Sequence, residues 1–167
     1  MELRSISHLL KELGTLEHKQ VLEICARLAK HKKENKELLS YLLFDSVDEN
    51  SFRENIKKEI DELFANINRS SAYTTKKGLQ KTVRVMNRYL NFSEEKQTEL
   101  EIRLYFCSKV KKVRIDLDSS AVISNIYYRE IDKIKTVFSK LHEDLQFDYK
   151  EAIEKLWLTF YFNHIET

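Results

Sequence analysis

The chain contains no proline and only two glycines, Gly14 and Gly78, in 167 residues. Folds built from many short strands need these residue types at their turns, whereas helices joined by short polar links need few of them. Helix is therefore expected from end to end, and apolar residues recur at spacings of three and four along nearly the whole chain. The length suits a single domain, residues 1–167, with one core. A share of 42% hydrophobic and 34% charged residues is that of a chain that folds unaided.

The periodicity divides into eight segments. Ile6, Leu9, Leu10 and Leu13 mark a first helix, with Gly14 placed to end it in the left-handed conformation and Thr15 to cap the next. Val21, Leu22, Cys25, Leu28 and Ala29 form the stripe of a second helix, whose C-terminal end gathers Lys30, His31, Lys32 and Lys33, as the macrodipole favours. A third runs from about Asn35 to Phe44, with Leu38, Leu39, Leu42 and Leu43 on one side, as a hairpin partner. After a polar break, Phe52, Ile56, Ile60, Leu63, Phe64 and Ile67 give the clearest helix, with Glu54 and Lys58 paired on its outer face.

Leu79, Val83, Met86 and Leu90 line a fifth helix, in which Gly78 favours close packing. Ser93, followed by Glu94 and Glu95, reads as the N-cap of a sixth. That helix is apolar on two sides, through Leu100, Leu104, Cys107 and Val110 on one and Ile102, Phe106 and Val113 on the other, so a central place is expected. Val113, Ile115 and Leu117 alternate with charged residues as an extended connector. A long seventh helix spans Ile123 to Leu145. Asp148 and Glu151 resemble a capping box ahead of an eighth, which carries Trp157, Phe160, Tyr161 and Phe162. Burial of Trp157, in the core or in a homodimer interface, is expected.

The resulting fold class is all-α, with about eight helices in an irregular helical bundle or a short stack of helical hairpins. No repeat of about 34 or 40 residues recurs with matching anchors. The stretch Leu28 to Phe44, with its basic residues, Asn35, Glu37, Leu38, Tyr41 and Leu42, resembles the second hairpin of uncharacterised bacterial all-helical domains often compared with HEAT-like scaffolds. The resemblance covers about a tenth of the chain. It implies stacked hairpins and carries no functional residues across.

Chemistry-bearing motifs are few. Neither His18 nor His142 begins an HExxH sequence, and His8, His31 and His164 are scattered, so no metal and no cofactor is expected. Cys25 and Cys107 sit at apolar helical positions, without a CxxC motif, and read as small buried hydrophobes. The two isolated glycines exclude a phosphate-binding P-loop. Glu94 with Glu95, and Asp116 with Asp118, read as cap and linker residues, leaving no catalytic residue to name.

One constellation rises above this background. No acid occurs between Arg69 and Arg88, and Lys77, Lys81, Arg84 and Arg88 are spaced four, three and four apart, which places them along one helix face. Lys109, Lys111, Lys112 and Arg114 form a second cluster, which antiparallel packing would bring near the start of the fifth helix. Such a surface matches a phosphate backbone, whereas a formal net charge of +2 and nearby acids such as Glu99 and Glu101 favour an ordinary solvated face.

The sequence therefore favours a non-enzymatic helical interaction or scaffold protein whose protein partner is not specified. An accessory nucleic-acid-binding protein is the second reading and an unrecognised enzyme the third. No apolar run approaches the roughly 20 residues of a membrane span. The first residues, Met1 to Arg4, meet charge rather than the apolar core of a secretory signal, and a cytoplasmic location is expected.

Overall fold

The computed structural model describes residues 2–165, with side chains through Leu156. The described residues form eight helices and no strand: α1 (Ile6–Leu13), α2 (His18–His31), α3 (Lys33–Ser40), α4 (Glu49–Ala65), α5 (Ala72–Leu90), α6 (Lys96–Lys112), α7 (Ala121–Phe138) and α8 (Glu143–Ile165). A π-helical turn, Tyr41–Asp45, continues α3 without a break. None of these helices is long and apolar enough to cross a membrane. The chain divides into two compact units, residues 1–46 and 47–167.

In residues 1–46, the Ser5 side chain caps α1 by accepting from the His8 amide. Gly14 follows in the right-handed region (φ −67°), not the left-handed one, because its N–H still finds the Leu10 carbonyl. Thr15 does not cap α2. Its hydroxyl donates to the Glu12 carbonyl at 2.7 Å and so closes α1, while α2 is entered at Glu17, whose amide donates to the Gln20 side chain. Lys32 alone is extended between α2 and α3, and Asn35 Nδ2 reaches back to the Leu28 carbonyl at 2.9 Å. That bond satisfies one of the last α2 carbonyls and folds α3 against α2 as a helical hairpin.

In residues 47–167, Asp48 caps α4 by accepting from the Ser51 amide at 3.0 Å, and Phe52, Ile56, Ile60 and Phe64 recur on its buried face. The outer-face pair differs from expectation: Glu54 meets Lys57 at 2.7 Å, not Lys58. Ser71 caps α5, which buries Leu79, Met86 and Leu90. A Cβ at Gly78 would lie 2.7 Å from Ile67 Cγ1, so the glycine is what lets the end of the α4 segment lie on α5.

Helix α6 is the centre. It packs against α4, α5, α7 and α8, and buries Leu100, Ile102, Leu104, Phe106, Cys107 and Val110 on more than one side. Its N-cap is Glu95, with the buried Ser93 two residues earlier accepting from the Glu95 amide and donating to Glu49. At its other end the extended connector is replaced by a helix-ending motif. Arg114 adopts φ 54°, its amide donates to the Lys111 carbonyl, and the amide of buried Ile115 donates to the Val110 carbonyl. This is the Schellman arrangement with arginine where glycine is commonest, at a cost of about 1 kcal/mol.

Helix α7 ends at Phe138, before the expected Leu145, and α8 begins at Glu143, so Asp148 and Glu151 lie inside α8 instead of capping it. Ser139 closes α7 by donating to the Thr136 carbonyl, and the turn is held by buried Leu141, whose carbonyl accepts from Gln146 Nε2 at 2.8 Å. The expected burial of Trp157 and the aromatic set Phe160, Tyr161 and Phe162 lie outside the described side chains.

Candidate interaction surfaces

Helix α5 sorts its residues cleanly. Thr75, Leu79, Thr82, Met86 and Leu90 face the core, and Lys77, Lys81 and Arg84 are exposed. These three cations form no ion pair among the described residues. Arg88 departs from the stripe: it is half-buried, with its guanidinium 5.1 Å from the Tyr89 ring. At the other end the stripe continues onto an aromatic ring, since Lys77 Nζ lies 4.5 Å and Lys76 Nζ 5.2 Å from the exposed Tyr73. The acids expected to neutralise this face are engaged elsewhere. Glu99 binds Arg103 at 2.6 Å, and Glu101 binds Arg53 at 3.3 Å and Lys57 at 3.6 Å.

The second basic cluster is reduced to half. Lys109 pairs with Asp61 at 2.6 Å. Burial tends to raise the Asp61 carboxyl, but the bonds from Lys109 and Tyr105 outweigh it and hold the group below the usual carboxylate range. Lys111 turns inward, donating to the Leu156 carbonyl, and burial lowers its pKa. Lys112 and Arg114 remain exposed. Arg69 donates to the Val113 carbonyl at 2.9 Å, which brings the approach to α5 against the end of α6, as antiparallel packing requires.

A buried charge network was not anticipated from the sequence. Arg103 and Glu130, both almost fully buried, bond directly. Arg103 also reaches Glu99 and Asn87, and Lys133 reaches Glu130 at 2.7 Å, so each guanidinium nitrogen and both carboxylate oxygens of the pair have a partner. Glu130 occupies a position on the stripe Ile123, Tyr127, Ile134, and a carboxylate there was the available signal. Around the rim of the same core, Tyr89 donates to Glu59 and Tyr105 to Asp61. Burial first, and then these carboxylates, push both hydroxyls up to about 12.

The cysteines lie in contrasting places. Cys107 is fully buried, and burial pushes its thiol far above the ordinary range, which makes it a poor nucleophile. Cys25 is half-buried. Among the described residues, no group of three His, Cys, Asp or Glu side chains is placed to hold a metal ion.

Residues 1–46 present a different kind of surface. Tyr41 alone is buried among their described residues, whereas Leu22, Leu28, Leu42 and Leu43 are exposed and Phe44 is 72% exposed. Between α2 and α3 runs a trough of about 630 Å³, floored by apolar side chains and edged by lysines. A contiguous exposed apolar surface of this kind commonly marks an interaction site.

The fold and these surfaces define an all-helical protein with one enclosed helical core and one set of amphipathic helices open to solvent. No family model, no curated protein and no solved structure matches the chain.

Proposed function

We propose that the chain is a non-enzymatic helical interaction protein, working in the cytoplasm, that holds a protein partner on residues 1–46. The observation that supports this reading is the open apolar face of α2, α3 and the π-helical turn, in a chain whose helices α4 to α7 bury theirs. A photo-crosslinking residue placed at Leu43 should form protein adducts in cells. The same residue at Val122, an exposed apolar position on α7, serves as the control. Equal labelling at both positions, or none at Leu43, would sink the reading.

A second reading, accessory nucleic-acid binding, is favoured by Lys77, Lys81 and Arg84, exposed and without an ion pair among the described residues, near Tyr73, an arrangement offering phosphate contacts and a ring on which a base could stack. With Arg88 turned aside, three phosphate contacts correspond to a log–log salt slope of about −2 to −3. The double variant Lys81→Glu, Arg84→Glu should abolish binding to single- or double-stranded probes while leaving the melting temperature nearly unchanged. Absence of binding by the unaltered protein at low salt removes this reading.

A further inference from the structure

We infer that the trough between α2 and α3 receives an acidic amphipathic helix of a protein partner, an inference that rests on the proposal that residues 1–46 dock a protein. Its dimensions suit such an occupant. Its longer wall runs from Lys33 to Phe44 along α3 and the π-helical turn, about 18 Å, with Ala26, Ala29 and Lys30 at the end of α2 facing it. The trough holds about 630 Å³, room for a row of side chains at i, i+3 or i+4, and i+7 from one helix face.

The floor explains why a helix fits. Ala26 and Ala29 contribute almost no side chain from α2, so a partner backbone can come close there. Leu39, Leu43 and Phe44 line the opposite wall, and the last two are already exposed to water. An apolar stripe of a partner would cover them, which is the ordinary driving force for helix-in-groove recognition.

The rim selects the charge. Lys30, Lys32, Lys33 and Lys36 border the trough, and no carboxylate is among its described lining residues. Lys33 is held by Glu37 at 3.5 Å, but Lys30, Lys32 and Lys36 form no ion pair among the described residues. Glutamates flanking the apolar stripe of a partner helix would meet these ammonium groups, and lysines there would be repelled. A concave floor between basic edges fits a cylinder better than the plane of a bilayer, so an anionic membrane is the alternative for the test to expose.

The experiment uses the full chain and two fluorescent helix-forming peptides of about 16 residues, long enough to run the length of the trough. Both carry leucines at i, i+4, i+7 and i+11, one flanked by glutamates and the other by lysines. Fluorescence anisotropy should show the glutamate peptide binding roughly tenfold or more tightly than the lysine peptide. The variant Lys32→Glu, Lys36→Glu should reverse that order. Ala26→Leu, at an exposed position and so without loss of folding, should obstruct the floor and weaken the glutamate peptide by a similar factor. Equal binding of both peptides, or binding of neither, overturns the inference. So does lysine-dependent adsorption to phosphatidylserine vesicles without peptide binding. If neither peptide binds while the crosslinker at Leu43 still yields protein adducts, the acidic helix is the wrong occupant and the interaction reading stands. If the adducts are missing too, both fall.

Discussion

Helices α2 and α6 have similar apolar content and opposite fates. Seven of the 14 residues of α2 are apolar, from Val21 to Ala29, and none is buried. In α6 seven of 17 are apolar, from Leu100 to Val110, and six of them are buried. Apolar content therefore does not decide burial. The number of neighbours does: α6 meets helices on several sides, so residues all round its axis find partners, whereas α2 packs chiefly on α3 and leaves the rest of its stripe in water. Residues 47–167 thus hold their structure by enclosure, and residues 1–46 by capping, local hydrogen bonds and one hairpin contact.

The two cysteines report on this contrast separately, one in each region. Thiol labelling under native conditions should modify Cys25 at least about 10³-fold faster than Cys107, whose exposure requires opening of the main core. Similar rates would mean that Cys25 is protected as strongly as the main core. The next largest effect is on equilibrium stability in urea. Phe106→Ala, at a fully buried position, should cost about 3–5 kcal/mol. Phe44→Ala, in the open region, should stay within about 0.5 kcal/mol.

Gly78→Ala tests enclosure at one contact. Alanine favours helix by about 1 kcal/mol, yet its Cβ would meet Ile67, and overpacking typically costs about 1–3 kcal/mol. The expected net result is a lower melting temperature, and an unchanged or higher one would mean that Ile67 gives way freely. The smallest expected effect is on alkaline stability. Tyr89 and Tyr105 keep their protons in the folded state up to about 12, against an ordinary value near 10, so the folded chain binds more protons in that interval. The stability they contribute is complete below pH 10 and is lost as pH rises from 10 to 12. Tyr105→Phe should flatten that decline in a thermal-melt series.

The all-helical class, the helix order and the central place of α6 were legible because spacings of three and four persist almost throughout. The break between α7 and α8 was not, because Leu141 and Leu145 keep the helical period across it and no glycine or proline marks the turn. The connector after α6 was misread for a related reason: alternation from Val113 to Leu117 looks strand-like, and an arginine in a left-handed position has no sequence signature. At the candidate surface, spacing sufficed to place Lys77, Lys81 and Arg84 together. It could not show that Arg88 packs beside Tyr89, or that Lys109 and Lys111 have partners in α4 and α8. The exposure of 1–46 was equally hidden, since an amphipathic stripe says that a face is apolar and not what covers it.

The place of α6 also bears on how the chain reaches its structure. Helices α4 and α5 precede it and α7 and α8 follow, so assembly from either side has to recruit this one segment. A transition state organised around α6 is expected. Leu100→Ala should then slow refolding, and Ile153→Ala in α8 should mainly speed unfolding. Stopped-flow chevrons in which both substitutions act on the same limb would contradict that order of events.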